Sequence, residues 1–134
     1  MLATQRPDPE PTPETKPFWD AARHSELNIQ KCRTCERFFF YPRRTCRHCH
    51  SEDVEWRRVS GRGRLSSFTI DYVSGPTPTV IALVELDEGP RMMTNIVGCK
   101  AEPDSLPIDA EVRVDFEHRD RYSVPVFRLI EADQ

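Results

Sequence analysis

The second half of the chain alternates between apolar and polar positions with a period of two, which predicts strands. Residues 79–86, TVIALVEL, form an almost continuous apolar run, as expected of a central strand. Residues 111–118, EVRVDFEH, place three apolar side chains on one face, opposite charged residues. Further strands are predicted at 63–73, 91–98 and 124–130. Five strands joined by short polar turns, without a helix long enough to connect parallel strands, favour a small antiparallel barrel.

The first half of the chain has weaker periodicity and more turn-forming residues. Residues 1–14 are polar and rich in proline, so we expect a flexible lead there. Residues 27–30, LNIQ, alternate like a short strand that leads into a cysteine-rich module. Residues 54–59, VEWRRV, follow the module.

Residues 15–26, TKPFWDAARHSE, predict a short helix between the lead and the first strand. Thr15 can cap its start, and a proline in the first turn loses no hydrogen bond. The spacing of Phe18, Trp19 and Ala22 places these three side chains on one face of the helix.

The spacing of the cysteines is the most informative signal in the chain. Two Cys-x-x-Cys pairs, separated by ten residues, lie within residues 31–50. Each pair places two thiolates on one side of a tight turn, and two such turns complete a tetrahedral zinc shell. A redox dithiol is the alternative, but no strand–helix–strand pattern surrounds either pair. Four thiolates leave no position for water, so we predict a structural zinc ion. Its predicted ligands are Cys32, Cys35, Cys46 and Cys49.

The remaining cysteine and the nearby histidines are assigned no chemistry. His48 and His50 flank the last zinc ligand and could replace it, but four thiolates suffice. We therefore expect both imidazoles to face solvent. Cys99 has no base near it in sequence, so we expect a half-buried packing position.

Charge is distributed unevenly along the 134 residues. The net charge is −3, but residues 31–64 carry a balance of +6 against −9 elsewhere. Arginine favours bidentate contact with phosphate or carboxylate. The basic stretch is therefore either a solvated face or a binding surface for phosphate or an acidic partner.

An aromatic segment, FFFYP at residues 38–42, lies between the two cysteine pairs. Three phenylalanines and a tyrosine exceed what so small a module can bury by itself. They either pack the module against the barrel or face a partner, and the sequence leaves both interpretations open.

The chain contains no familiar catalytic motif. It lacks a Ser-His-Asp order, an H-E-x-x-H motif, a Walker loop and a G-x-G-x-x-G sequence. An enzymatic site would have to be built from scattered residues such as Asp71, His118 and Asp120. The sequence thus provides no catalytic set of its own.

No apolar run approaches the roughly 18 residues of a membrane span. The amino-terminal segment also lacks the apolar stretch of a signal peptide. We expect no membrane partner and a cytoplasmic location, where paired cysteines are metal ligands rather than disulfides.

The order of the segments resembles one known family along roughly residues 12–130. TPETKPFWDA is followed by CRTCERFFFYPRRTCRHC, VEWRRVSGRGRLSSFT, ALVELDEGPRMMTNIVG and VRVDFE. This order resembles the acyl-CoA-associated proteins that combine a zinc ribbon with an OB fold. The resemblance implies a mainly β fold with an N-terminal helix, a rubredoxin-like zinc ribbon and a C-terminal five-stranded OB-fold barrel. The implied divisions are a lead at 1–14, the helix at 15–26, the ribbon at 27–59 and the OB-fold domain at 60–131.

Single residues match this family, with departures after the two cysteine pairs and in LPIDAEVRV, residues 106–114, which lacks the glycine usual before this strand. Gly61 and Gly63 match the turn that enters the barrel, and the four cysteines match its zinc positions. Glu36 and His50 stand after the cysteine pairs, where family members usually carry glycine. We expect a strained backbone or an altered turn at both positions.

The resemblance implies a non-catalytic accessory subunit that binds and stabilises a thiolase-fold acyl-CoA enzyme in a hetero-oligomer. The favoured partner is a lipid-transfer-protein-like retro-aldolase, a lyase that cleaves steroid side-chain CoA thioesters. The alternative partner is an acetyl-CoA acetyltransferase-type thiolase. The candidate contacts with the partner or with CoA are Phe18, Trp19, Phe39, Phe40, Tyr41, Arg43 and Arg44.

Binding of single-stranded nucleic acid is a competing function, because zinc ribbons and OB barrels both perform it. OB folds that bind single strands combine exposed aromatic residues with a basic groove. The barrel half of this chain is acidic and would repel phosphate. We therefore do not expect a nucleic-acid partner.

Overall fold

The computed structural model describes residues 10–130, which form a helix, a three-stranded sheet and a closed barrel. The helix α1 spans Lys16–Arg23. The sheet contains β1 (Asn28–Cys32), β2 (Phe38–Phe39) and β3 (Val54–Arg58). The barrel contains β4 (Arg62–Asp71), β5 (Thr79–Leu86), β6 (Arg91–Val97), β7 (Glu111–His118) and β8 (Ser123–Leu129), and a short 3-10 helix at Pro103–Ser105 precedes β7. The predicted fold class, mainly β with one short helix, a ribbon and a five-stranded barrel, is confirmed.

Helix α1 starts close to its predicted position and ends earlier. Thr15 occupies the N-cap position, but its side chain does not cap the helix. Instead the Thr15 Oγ1 accepts a hydrogen bond from the Thr12 N–H at 2.8 Å. The Thr12 carbonyl accepts the N–H groups of Thr15 and Lys16, so residues 12–16 form a hydrogen-bonded turn. The rest of the predicted lead, before residue 10, lies outside the described residues. At the other end, Ser25 has a left-handed φ of 61°, which stops the helix before residue 26.

The apolar face of α1 joins the helix to the rest of the chain, as its spacing predicted. Phe18 and Ala22 are 2% and 1% exposed, and Trp19 packs half-buried against the same cluster. The helix contacts both β1 of the ribbon and β8 of the barrel. It therefore fills the junction between the two sheets.

The ribbon sheet has the order β2–β1–β3, with both pairs antiparallel. The central strand places Gln30 opposite Phe39 on one side and opposite Trp56 on the other. The pairing of Phe38 and Phe39 with β1 was not predicted, because two aromatic residues carry no strand periodicity of their own.

The barrel has the order β4–β5–β6–β8–β7 and is closed by pairing of β7 with β4. Four neighbouring pairs are antiparallel, but β6 and β8 run parallel through Ile96–Phe127 and Val97–Arg128. The prediction of a wholly antiparallel barrel is therefore wrong at this pair. The reason is topological. Strand β7 pairs with β4 on one side and with β8 on the other, and the antiparallel β7–β8 pair leaves β8 beside β6 with both strands running in the same direction.

One apolar core runs through the described residues. Leu65, Val84, Val112 and Phe127 are completely buried inside the barrel. Phe18 of the helix belongs to the same cluster, together with apolar residues from β1 and its approach. No helix among residues 10–130 combines the length and the apolarity that crossing a membrane would require.

Gly63 lies where β4 pairs with β5 and β7 simultaneously, opposite Leu86 and Val112. A Cβ atom at this position would collide with the carbonyl oxygen of Glu85 and lie 3.0 Å from the Val84 Cγ1. The close approach of the two strands at the barrel seam therefore requires glycine.

The substitution Gly63→Ala should destabilise the protein by about 1–3 kcal/mol, because the added methyl group pushes the strands apart at the seam. Gly75→Ala is the matched control, since a Cβ there has only the Thr77 carbonyl oxygen within reach, at 3.7 Å. Urea denaturation of both variants checks this expectation. Equal stability of the two variants would contradict the assigned role of Gly63.

Candidate metal centre and interaction surface

The two Cys-x-x-Cys turns share one backbone hydrogen-bond pattern. The Cys32 N–H donates to the Arg37 carbonyl at 2.9 Å. The Cys46 N–H donates to the Ser51 carbonyl, also at 2.9 Å. Each bond spans five residues and curls the chain around the intervening thiolates. The two turns therefore present their sulfur atoms in equivalent orientations.

A left-handed residue follows the second cysteine of each pair. Glu36 has a φ of 62° and His50 a φ of 65°. The missing glycines had suggested either a strained backbone or an altered turn at these two positions. The chain keeps the tight turn and adopts the strained backbone. Both side chains are exposed, so neither gains packing that would offset this strain.

The four predicted ligands meet at one point. Their Sγ atoms all lie within 4.8 Å of one another, and no other group of three or more potential ligand residues occurs in residues 10–130. The Cys32–Cys49 and Cys35–Cys46 sulfur distances are 3.6 and 3.7 Å. A zinc ion bound to four sulfurs at about 2.3 Å requires edges of about 3.8 Å. The donor set and its spacing therefore fit a tetrahedral zinc ion, and the predicted structural zinc cofactor is confirmed.

Backbone N–H groups stabilise two of the ligands as thiolates. The Cys35 N–H donates to the Cys32 Sγ at 3.4 Å, and this bond is the main reason that the pKa of Cys32 falls to about 6. Burial raises the pKa of Cys46, but the N–H groups of Cys49 and His48 outweigh it, so the net shift is downward. Burial raises the pKa of Cys35 to about 12. Zinc ligation requires the thiolate form of all four cysteines, so zinc binding releases protons.

Phe39 forms the apolar support of the metal centre. Its side chain is 1% exposed and packs with Cys32 and Cys46, with Val54 at the edge of the cluster. Strand β2 thus turns this ring inward beneath the sulfur atoms, and contact of Phe39 with a partner or CoA stays a prediction.

The other candidate aromatic residues form a row of rings from the core to the surface. The Phe18 ring centroid lies 4.8 Å from that of Trp19 and 5.5 Å from that of Phe40, and Phe40 lies 5.2 Å from Tyr41. Phe18 is buried, and its ring packs against the chain's own core; its contact with a partner stays a prediction. Trp19 and Phe40 are half-buried, and Tyr41 is 50% exposed. Contact with a partner stays a prediction for these last three residues.

Gln30 holds the loop that carries Tyr41 and the following arginines, and sequence reasoning missed it. Its Nε2 donates to the Arg43 carbonyl at 2.7 Å, and its Oε1 accepts the Arg43 N–H at 2.7 Å. Gln30 is only 4% exposed. A buried amide must find a hydrogen-bond partner, but β1 reads NIQKC, so nothing local in this polar segment marked Gln30 as buried.

The structure separates the basic stretch into two groups. Arg57 donates to Glu55 at 3.0 Å, and Arg58 and Arg64 lie within 4 Å of acidic side chains. Arg43 and Arg44 are exposed, and within residues 10–130 neither guanidinium has an acidic partner. These two guanidiniums are therefore open to solvent, and their contact with a partner or with CoA stays a prediction.

The scattered polar residues have structural roles. The Asp71 carboxylate accepts the N–H groups of Val73 and Ser74, which hold the pKa of Asp71 below its usual range. His118 contacts Ser25 at 3.2 Å and Ser123 at 2.6 Å. No hydrogen bond or ion pair joins Asp71, His118 and Asp120 within the described part of the chain.

The residues that were assigned no chemistry lie as predicted. His48 and His50 are exposed and stand outside the four-sulfur group. Cys99 is half-buried against the barrel core, and burial raises the pKa of its thiol.

Cys46→Ser should reduce the zinc content of the purified protein far below one ion per chain, because a buried thiolate is replaced by a poor zinc ligand. Cys99→Ser, which alters a thiol outside the centre, should retain one zinc per chain. Elemental analysis of protein prepared without chelators measures both. Retention of full zinc by Cys46→Ser would contradict the assigned ligand set.

Glu36→Gly and His50→Gly should each stabilise the zinc-loaded protein by about 1 kcal/mol, because glycine adopts the left-handed backbone without steric cost. Glu52→Gly is the control, since Glu52 is exposed and lacks a left-handed φ. It should give no gain. Denaturation midpoints of the three variants at constant zinc concentration check this expectation. If both Glu36→Gly and His50→Gly lowered the stability, the left-handed backbone at these two positions would not be strained.

Comparisons with known proteins agree with this geometry. Residues 19–55 match the rubredoxin-like zinc ribbon domain of ChsH2, and residues 56–117 match the C-terminal OB-fold domain of ChsH2. A DUF35 domain-containing scaffold protein of Methanothermobacter thermautotrophicus is 37% identical over 96 residues, covering 67% of this chain and 71% of that protein.

Two further relatives extend the comparison. A probable enoyl-CoA hydratase alpha subunit of Thermomonospora curvata is 36% identical over 117 residues, which cover 83% of this chain. This chain spans only 36% of that relative's length. Among solved structures, the Ltp2-ChsH2(DUF35) aldolase contains a chain that superposes with a TM-score of 0.79 at 32% identity, covering 91% of this chain and 98% of that one.

Both parts of the chain, the four-cysteine ribbon and the five-stranded barrel, thus have the same relatives in the same order. The chain belongs to the ChsH2 zinc-ribbon and OB-fold family, which includes DUF35-domain proteins.

Proposed function

We propose that this protein is a non-catalytic subunit that binds and stabilises a thiolase-fold enzyme of the lipid-transfer-protein-like type. The observation that carries this proposal is the similarity to a chain of the Ltp2-ChsH2(DUF35) aldolase, which extends over 98% of that chain. Similarity over both the ribbon and the barrel of that chain supports a similar role in assembly better than similarity over one of the two parts.

The chemistry of the described residues supports an accessory role. Four cysteines are committed to a closed metal shell, which leaves no position for substrate. The Asp71 carboxylate accepts a hydrogen bond from the Val73 N–H within its own turn, and His118 contacts Ser25 and Ser123. The reacting groups would accordingly come from the partner enzyme.

Within this proposal, the partner is a retro-aldolase that acts on acyl-CoA thioesters of steroid side chains. The similarity to an aldolase subunit favours it over an acetyl-CoA acetyltransferase-type thiolase, and the resemblance of the chain to the acyl-CoA-associated family supports the thioester. Tyr41, Arg43 and Arg44 would contact the partner or the CoA phosphates, because this loop is exposed and its arginines lack acidic neighbours.

The barrel gives little support to the alternative of nucleic-acid binding. OB folds bind single strands along the second and third strands and the adjacent loops, with basic and aromatic side chains. In this barrel those strands are β5 and β6, and the depression beside them is lined by no Lys, Arg or aromatic residue. Phosphate groups and stacked bases would find no partners there.

Co-expression with a lipid-transfer-protein-like thiolase homologue from the same genome tests the assembly. One stable hetero-oligomer is expected on size-exclusion chromatography, and acyl-CoA cleavage is expected from the complex and not from this chain alone. Two separate peaks under all ionic strengths tested, or turnover by the isolated chain, would overturn the proposal.

Arg43→Ala combined with Arg44→Ala should weaken the complex at least about tenfold, because two unpaired guanidiniums are lost from the contact surface. Arg57→Ala combined with Arg58→Ala is the matched control, since acidic neighbours already neutralise these side chains. Zinc content should stay at one per chain in both. Equal affinities for the two double variants would exclude the loop from the interface.

A further inference from the structure

Three arginines lie opposite one another on three neighbouring strands of the barrel. Arg62 of β4 pairs with Arg113 of β7, and Arg113 pairs in turn with Arg128 of β8. All three are exposed, whereas the adjacent residues Val112 and Phe127 are completely buried inside the barrel. Because successive side chains of a strand point to opposite faces, the three guanidiniums form one row on the outer face. We call these three residues the arginine row.

The backbone pairing places the first two members of the arginine row close together. The Val114 N–H donates to the Gly61 carbonyl at 2.7 Å, which makes Gly61 and Val114 a hydrogen-bonded pair. The next pair along the two strands, Arg62 and Arg113, is therefore of the non-hydrogen-bonded kind, in which the Cα atoms are about 4.5 Å apart. Like charges directly opposite each other in a sheet are destabilising. This pair consequently lowers the stability of the isolated barrel.

The acidic side chains beside the arginine row are engaged by other arginines. The Asp115 carboxylate accepts a hydrogen bond from the Arg128 Nε at 2.6 Å. This bond is the main reason that the pKa of Asp115 lies below its usual range. The Glu111 carboxylate lies 3.9 Å from the Arg64 guanidinium. Each of these two acids therefore compensates an arginine outside the closely spaced pair.

Arg62 and Arg113 keep their charges without such compensation. Within residues 10–130, neither guanidinium forms an ion pair with an acidic side chain. Each guanidinium presents its N–H donors in a planar fork that fits a carboxylate or a phosphate. An external anion would remove the repulsion between the two arginines and accept charge-assisted hydrogen bonds from both.

The surroundings of the row favour carboxylates of a protein over the phosphates of a nucleic acid. Glu111 and Asp115 flank Arg113 on the same face of β7, so a continuous phosphate backbone along this strand would meet a carboxylate on either side. The neighbouring outer positions of β4, β7 and β8, within the described residues, carry no aromatic ring on which a base could stack. A polypeptide can place an acidic side chain over the two arginines and uncharged or basic side chains over the flanking acids.

We propose that the arginine row is a docking surface for an acidic segment of a partner protein, whose carboxylates bind Arg62 and Arg113. The identity of this partner as the lipid-transfer-protein-like enzyme rests on the proposed function. This contact is distinct from the one predicted for Arg43 and Arg44, because those residues belong to the ribbon and the row belongs to the barrel. The repulsion within the row is the stability that the isolated chain gives up for binding.

NMR of the arginine Nε–Hε groups in the isolated full chain tests the proposal without the partner enzyme. A blocked hexaglutamate peptide at low ionic strength should shift the Arg62 and Arg113 signals saturably. Arg57, which donates to Glu55 at 3.0 Å, is the internal control and should stay in place. A hexaglutamine peptide of the same length should shift none of the three signals, and a thymidine hexanucleotide should bind more weakly than hexaglutamate.

Arg62→Gln combined with Arg113→Gln removes both charges and keeps polar side chains on the surface. The urea midpoint of the isolated chain should rise, because the repulsion is relieved. The affinity for the co-expressed partner enzyme should fall at least about tenfold, because the carboxylates lose both cations. Arg57→Gln combined with Arg58→Gln is the matched control, since both side chains already have acidic neighbours, and it should leave this affinity nearly unchanged.

Absence of an Arg62 and Arg113 shift with hexaglutamate would overturn the proposal, as would an equal shift of Arg57 or tighter binding of the oligonucleotide. A lower urea midpoint of the double variant would indicate a structural role and would also contradict it. If the double variant binds the enzyme with unchanged affinity, the docking surface is wrong and the proposed function stands. If no complex with the enzyme forms at all, the proposed function fails, and the peptide titration of the isolated chain still decides whether the row binds carboxylates.

Discussion

Four sulfur atoms within 4.8 Å of one another can persist as thiolates only if a cation lies among them, and the N-terminal half of this chain depends on that constraint. The ribbon sheet has strands of five, two and five residues, too few to form a stable apolar core by themselves. A zinc ion held by the four cysteines joins the two Cys-x-x-Cys turns, and Phe39 packs against Cys32 and Cys46. Cys32 is the last residue of strand β1, against which the helix packs. The helix in turn covers the junction between ribbon and barrel, so the metal centre supports contacts well beyond its own ligands.

Local sequence pattern was sufficient wherever the determining contacts are local. The cysteine spacing identified all four ligands, and the apolar spacing of Phe18, Trp19 and Ala22 identified the buried helical face. The segments 79–86 and 111–118 form strands with the predicted bounds, because their alternation reflects two-faced burial over several residues.

The features that were not predicted depend on contacts between residues that are distant in sequence. The short strand β2 depends on its pairing with β1. The buried Gln30 amide depends on its two hydrogen bonds with the Arg43 backbone. The parallel pairing of β6 with β8 follows from the order in which the barrel closes, which no single strand encodes. The inward turn of Phe39 likewise depends on the metal centre. For this reason composition alone suggested more exposed aromatic surface than the ribbon has.

The resulting molecule keeps two features apart. The metal centre is closed and structural, and the loop around Tyr41 carries Arg43 and Arg44, which have no acidic partner within residues 10–130. The most direct test of this account is X-ray absorption spectroscopy at the zinc edge, on the protein alone and in complex with the proposed partner enzyme and acyl-CoA. Four sulfur ligands at about 2.3 Å are expected in both states, unchanged by substrate. An oxygen or nitrogen ligand, or a shell that changes when acyl-CoA is added, would contradict a purely structural zinc centre.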